Sequence, residues 1–319
     1  MARSGNSNEF KGFAGVIDLS DHHYKEESQD CLIQGGCQLH RKIMREWKIL
    51  KQHLPESIYV RVSETHVDLL RAAIVGAAGT PYHDGLFFFD LKFPLDYPNH
   101  PPQVYYRSHG LELNPNLYPC GYVCLSLLNT WRGEKEEMWD PSRSTILQVL
   151  VSIQALILND KPFFNEPDIA PVVSLSSEKS SRAYNEDAFV STLKSTLFLL
   201  RNPPKEFEDF TADHFGRRAG VILSACGAYA NSSVEVGYYS SELKELIKLS
   251  VSNKFKKSME QLYPKLVEAF EKNAPLEDSL RQFKVWEADT SPLVAQPKRT
   301  AAVVFGCMLV FVMIGYWSA

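Results

Sequence analysis

Cysteine is scarce and unevenly placed, with six in 319 residues at Cys31, Cys37, Cys120, Cys124, Cys226 and Cys307. That density does not build a disulfide framework. With no secretory signal at the N-terminus, it predicts a reducing, cytosolic setting. A surplus of charge of one sign is also missing. The net charge is −4 and charged residues make up 23% of the chain, so electrostatics give no reason to expect nucleic acid as a partner. His22 and His23 are adjacent but have no ligand cluster beside them, which weighs against a metal there. What remains is ordinary globular composition, 45% hydrophobic, in a chain long enough for one or two domains with a proper core.

Charge disappears altogether between Thr300 and Ala319, in TAAVVFGCMLVFVMIGYWSA. As a helix, Ala301 to Trp317 spans about 26 Å, enough for a thin bilayer such as that of the endoplasmic reticulum. Lys298 and Arg299 precede it, and Tyr316 and Trp317 stand at its far end. Basic residues on the cytosolic flank and aromatics at the interface suit a membrane anchor. With two residues after it, the segment is expected to insert after synthesis, as a C-terminal transmembrane tail anchor over 300–319.

Upstream, the polar stretch over residues 1–37 predicts a flexible lead-in. From Gln38, QLHRKIMREWKILKQHLP carries Leu39, Ile43, Trp47 and Leu50 at helical steps, while Arg41, Lys42, Arg45, Lys48 and Lys51 make the remaining surface basic. That surface is either a solvated face or a docking face for an acidic partner. Four short extended runs follow: SIYVRV, LLRAAIVG, GLFFFDLKFP and PQVYYRS. In the third, Phe87, Phe89, Leu91 and Phe93 share one face, and Asp90 and Lys92 take the other. Short links between successive strands predict an antiparallel four-stranded meander, and the prolines of PLDYPNHPP predict a rigid irregular loop. Helices are expected over Ser144–Leu158 and Tyr184–Arg201, completing an α+β domain over 38–202. A helical extension over 203–280 follows. In it, Leu243, Ile247, Val251, Phe255, Met259, Leu262, Leu266 and Phe270 fall every three or four residues, and Pro264 is expected to kink or split the helix. Such a helix packs on its own domain or recruits a partner. Residues 281–299 suit a linker.

The stretch NPNLYPCGYVCLSLLNTW, Asn114 to Trp131, holds two cysteines close together. Zinc needs four Cys or His ligands, and no matching pair lies near. A disulfide between Cys120 and Cys124 is not expected in the cytosol. A single nucleophilic cysteine remains, with no His or Asp neighbour in sequence to mark it.

Taken in order, GTPYHDGLFFFDLKFPLDYPNHPP, then Asn114-Pro115-Asn116, then Cys124, then Trp139-Asp140-Pro141 resemble the ubiquitin-conjugating enzyme family. The wording NPNLY…VCLSLL is similar to its large, atypical members, including the plant phosphate-signalling type. The resemblance covers about Gln38 to Asn202. It implies the ubiquitin-conjugating (UBC) fold, with Cys124 accepting ubiquitin as a thioester from the activating enzyme and passing it to substrate lysines. It implies that Asn116 stabilises the oxyanion or the adjoining loop, that Pro115 stiffens the turn, and that Cys120 is a bystander. Asp160, Asn165 and Glu166 are the candidates for a group assisting the attacking lysine. Asn114 replaces the family's usual histidine. Asn99 replaces the apolar residue that ligases grip, while Pro141 keeps the second part of that docking site. TWRGEKEEMW is a polar insertion expected to form a flap near the site. No metal or organic cofactor is implied. The partners implied are ubiquitin, its activating enzyme, a ligase, protein substrates and, through the anchor, an endomembrane. The rival reading is a catalytically silent, membrane-anchored ubiquitin-binding scaffold; a different ubiquitin-like modifier is a third.

Overall fold

The computed structural model describes residues 10–28, 38–131, 133–165, 175–231, 234–238, 251–273 and 275–276. Glu166, the 281–299 linker and the Thr300–Ala319 stretch lie outside these residues. Among the described residues, no helix is long and apolar enough to cross a membrane. Chain contacts separate Met1–Val285 from Trp286–Ala319, and every described residue belongs to the first unit.

The predicted meander is present and has one strand more than expected. Strands β2 (Ile58–Ser63), β3 (Leu69–Val75), β4 (Leu86–Lys92) and β5 (Gln103–Tyr106) pair antiparallel in sequence order. A fifth strand, β1 (Phe13–Val16), adds parallel to β2 and makes the sheet mixed. The period-two pattern holds: Phe87, Phe89, Leu91 and Phe93 are buried in one core with Val60, Val62, Leu70 and Ala72. Helix α1 (Gln38–His53) closes that core through Ile43 and Leu50. Helix α2 (Ile146–Ser152) packs on the same core through Ile146, Val149 and Leu150, running on into a π-helical turn over Ile153–Ile157.

The opposite face of the sheet is covered too. Ala73, Leu86 and Phe88 meet a second core built from α3 (Leu175–Arg201), α4 (Glu208–Ala230) and α5 (Asn253–Glu271). Phe189, Phe207, Phe215, Phe255 and Phe270 are buried there, each contributing roughly 1.5–3 kcal/mol by leaving water. The spacing expected of α5 is thus spent on its own fold: Val251, Phe255, Met259, Leu262, Leu266 and Phe270 are all buried. Leu243 and Ile247 fall outside the described residues. Pro264 does not split the helix, which runs through it to Glu271. Helix α3 begins at Leu175 rather than Tyr184, and polar groups occupy some of its buried positions. Ser181 and Asn185 are buried, and Glu186 accepts from the Ser252 amide and hydroxyl at the start of α5.

Residues 10–28 are a correction to the flexible lead-in. Beyond β1 this segment lies on the second face of the sheet and is held by ions and rings as well as by the buried Leu19. Arg71, fully buried, donates to both oxygens of Asp90 at 2.6 and 3.0 Å and to Asp21 Oδ1 at 2.7 Å. Arg107 donates to the Asp21 carbonyl at 2.7 Å and to Asp90 at 3.3 Å. His22 bonds the Leu70 carbonyl at 3.0 Å, and the His23 ring stacks on Tyr105 at 3.6 Å.

Burial works to raise the Asp90 carboxyl, and the Arg71 guanidinium outweighs it, drawing Asp90 from its ordinary 3.8 to about 2. Because the folded value is the lower one, this stabilisation is complete above pH ~4 and is lost as pH falls through about 2. Asp90→Asn leaves Arg71 with Asp21 as its one ion-pair partner among the described residues. Urea unfolding at pH 7 is expected to show a loss of about 3 kcal/mol, and the acid decline below pH ~4 should become shallower.

Candidate active site

After β5 the chain reverses and enters Asn114-Pro115-Asn116. The buried Asn114 side chain accepts from the Asn116 amide at 2.8 Å, and its own amide donates to Tyr82 Oη at 2.8 Å and to the Ile157 carbonyl at 2.7 Å. Asn114 therefore ties the turn to the end of the π turn of α2, a task for one acceptor and two donors at once. A tight hairpin follows. Leu117 bridges Val123, and the Tyr118 amide donates to the Tyr122 carbonyl at 3.0 Å. Gly121 has φ +90°, and a Cβ there would lie 2.0 Å from the Tyr105 ring, so only glycine fits.

This hairpin separates the two cysteines. Cys120 sits exposed near its tip, whereas Cys124 stands at its base, 5% exposed. There Cys124 and Asn116 exchange hydrogen bonds: the Cys124 amide donates to the Asn116 carbonyl at 2.9 Å, and Asn116 Nδ2 donates to the Cys124 carbonyl at 3.1 Å. The structure thus brings the predicted asparagine to Cys124 and not to Cys120. An amide nitrogen carries two hydrogens. One is engaged with the backbone of Cys124, and the second makes no hydrogen bond among the described residues. Asn116 Oδ1 is buried and has no hydrogen-bond partner among the described residues.

The chain beyond Cys124 is clamped by a residue that sequence reasoning missed. Thr130 Oγ1 donates to the Val123 carbonyl at 2.7 Å and accepts from the Leu125 amide at 2.9 Å, holding the residues on both sides of Cys124. Asn129, in the left-handed region at φ +57°, makes the turn that returns Thr130. An Asn-Thr pair five residues past a cysteine is the signal, though too common to stand alone. The polar insertion does fold back here: a Cβ on Gly133 would lie 2.5 Å from that of Ser126. Trp139 joins this loop to the proline loop, receiving no charge but donating Nε1–H to the Pro98 carbonyl at 2.6 Å. Asn99 and Pro141 are both exposed. Leu95, in the same proline loop and 63% exposed, is an apolar surface the sequence reading did not single out.

The remaining candidates separate. Asn165 Nδ2 donates to the Ile157 carbonyl at 3.2 Å, the same oxygen that takes Asn114, and its Oδ1 accepts from Asn159 at 2.6 Å. Asn165 is thereby tied to the site through Ile157, Asn114 and Asn116. Asp160 is exposed at the end of this loop, with its carbonyl held by Asn185 at 2.9 Å. The described residues contain no group of three or more His, Cys, Asp or Glu arranged to hold a metal ion.

Comparison with known proteins bears on this arrangement. A family model described as ubiquitin-conjugating enzyme matches residues 42–190. The chain is 46% identical over 266 residues to the putative ubiquitin-conjugating enzyme E2 38 of Arabidopsis thaliana, covering 82% of this chain and 81% of that protein. It is 48% identical over 275 residues to the probable ubiquitin-conjugating enzyme E2 24 of the same plant, covering 85% of this chain but 30% of that longer protein. A human relative, the dual E2 ubiquitin-conjugating enzyme/E3 ubiquitin-protein ligase BIRC6, is 37% identical over 231 residues, which are 70% of this chain and 5% of that protein. With the mixed sheet, its flanking helices and a relative this similar along most of both lengths, the chain belongs to the ubiquitin-conjugating enzyme family.

Proposed function

We propose that Cys124 carries ubiquitin as a thioester and that the chain passes it to substrate lysines. The observation that carries this reading is the reciprocal pair of hydrogen bonds between Asn116 and Cys124 at the base of a glycine-dependent hairpin. In the first step the Cys124 thiolate attacks the carbonyl carbon of ubiquitin's thioester with the activating enzyme. The old C–S bond breaks, and the activating enzyme's sulfur leaves as a thiolate. In the second step a lysine nitrogen attacks the same carbon. The bond to Cys124 Sγ breaks, an amide forms, and the nitrogen sheds its proton. ATP is consumed upstream, by the activating enzyme.

Helix α1 fits the docking of an acidic partner such as that enzyme. Arg41, Lys42, Arg45, Lys48 and Lys51 form no ion pair among the described residues, while the helix's one acidic residue, Glu46, is buried and accepts from Tyr97 Oη and the Ile146 amide. The charge-free stretch from Thr300 supports a membrane location, the endoplasmic reticulum being the best match for its length, with transfer at the cytosolic face. A charging reaction with activating enzyme, ATP and ubiquitin tests the catalytic reading. A thiol-reducible adduct mapped to Cys124 by mass spectrometry is expected. Ubiquitin binding without any adduct overturns it in favour of the scaffold. Removal of residues 300–319 is expected to release the protein from alkali-washed membranes.

A further inference from the structure

The link between β3 and β4, residues 76–85, touches both the active-site turn and the helical extension. Three consecutive side chains divide the contacts. Tyr82 is wholly buried and meets the turn: its hydroxyl accepts from Asn114 Nδ2 at 2.8 Å and donates to the Leu113 carbonyl at 3.3 Å. His83 and Asp84 meet α4 instead. Asp84, in the left-handed region at φ +63°, accepts from Arg218 Nε at 2.6 Å, and its carbonyl accepts from the His214 ring at 2.9 Å. His83 Nδ1 donates to the other oxygen of Asp84 at 2.7 Å, which leaves Nε2 to accept from Tyr229 Oη at 2.9 Å. The Tyr229 hydroxyl in turn accepts from the Gly237 amide, beyond α4, at 3.1 Å. Tyr229, His83 and Asp84 are all buried, and donors meet acceptors at every step, an arrangement that stiffens what it joins.

Tyr82 and His83 are joined by one planar peptide unit, so the place of the Tyr82 hydroxyl depends on where α4 holds His83. Asn114 depends on that hydroxyl for one of its two donor bonds. Its Oδ1 fixes the Asn116 amide at 2.8 Å, and Asn116 reaches the Cys124 carbonyl at 3.1 Å. A continuous series of short contacts therefore runs from α4 to the nucleophile. Transfer is sensitive to such geometry, since a misplacement of about 1 Å costs on the order of 10²-fold in rate.

We propose that Tyr229 of α4 is a positioning residue for ubiquitin transfer, holding the β3–β4 link so that Tyr82 sets the Asn114–Asn116 turn beside Cys124. This inference rests on the reading that Cys124 carries ubiquitin. It gives the extension a part in transfer that is exerted through the fold, by fixing the turn against which the thioester is attacked. The extension is then a component of the catalytic domain and not an appendage to it.

The test is single-turnover discharge of the loaded full chain onto free lysine, over a range of lysine concentrations and well below the melting temperature of every variant. Tyr229→Phe keeps the edge-on ring contact with Phe189 and removes the hydroxyl. It should load Cys124 like the parent and discharge about fivefold more slowly at saturating lysine, with the half-saturating lysine concentration unchanged. Tyr82→Phe should slow discharge about tenfold. The double variant should be no slower than Tyr82→Phe, because Tyr229 acts through Tyr82. Should Tyr229→Phe not fold, Arg218→Gln loosens the same joint at a partly exposed side chain and should slow discharge about twofold. Ser252→Ala is the control for lost stability. It removes the N-cap of α5, in the same extension but outside this series of bonds, and should lower the melting temperature without slowing discharge. Parental discharge by the folded variant at this joint, equal slowing by Ser252→Ala, or losses that simply multiply in the double variant overturn the inference. Failure of the parent to load on Cys124 overturns the underlying reading instead.

Discussion

Cys124→Ser gives either a ubiquitin adduct that withstands thiol reductant or no adduct, while Cys120→Ser charges like the parent. The two cysteines are near in sequence and unlike in surroundings. Cys124 lies against Asn116, with Thr130 gripping the residue before it and the residue after it. Cys120 is exposed toward the tip of the hairpin, away from that amide. A thioester needs a sulfur that attacks as a thiolate and leaves as one, and serine's hydroxyl, far more basic, does neither readily near neutral pH. The substitution exchanges sulfur for oxygen at one buried position. Unfolding in urea should therefore change by no more than about 1 kcal/mol, and the loss is one of chemistry. Non-reducing gels and intact-mass measurement check both variants. A reducible adduct on Cys124→Ser, or its loss from Cys120→Ser, transfers the role to the other cysteine.

Features whose partners are close in sequence were legible before folding. The period of two from Phe87 to Phe93 marked one face of the sheet, and those residues line the core against α1 and α2. Asn116 and Cys124, joined by the family resemblance, lie eight residues apart, while Gly121, which the sequence reading did not single out, shapes the hairpin between them. What escaped depends on distant partners. The period of two placed Asp90 on the face opposite the phenylalanines but not its partner Arg71, which also holds Asp21, 50 residues away. For that reason the polar segment before Gln38 resembled disorder: its anchors are carboxylates and histidine rings, which carry no apolar period. The first turns of α3 were missed similarly, since Ser181 occupies a buried position that periodicity assigns to an aliphatic. Asn165 connects to the site through a carbonyl at the end of a π turn, and no residue pattern announces that turn. Pro264 was overrated as a breaker; the buried face of α5 outweighs the one hydrogen bond its ring forfeits.

Asn116→Ala is expected to load Cys124 within about fivefold of the parent and to discharge onto lysine 10²–10³-fold more slowly. Attack by an amine on a thioester places negative charge on the former carbonyl oxygen. A single fixed donor aimed at that oxygen is worth about 3 kcal/mol, which sets the scale of the loss. Loading exchanges one sulfur for another across a lower barrier and beside the activating enzyme's own groups, so it depends less on this amide. Stability separates the two roles assigned to Asn116. Alanine removes the 3.1 Å bond to the Cys124 carbonyl, about 1 kcal/mol, but also removes a buried oxygen that has no partner among the described residues. These effects oppose each other, and the melting temperature should hardly move. Asn116→Asp sharpens the comparison. It preserves shape and replaces the donor with an acceptor, so transfer should be at least as slow as in the alanine variant. If Asn116→Asp discharges normally with melting unchanged, the amide serves the loop alone and the oxyanion must find its donor among the backbone amides that follow Cys124.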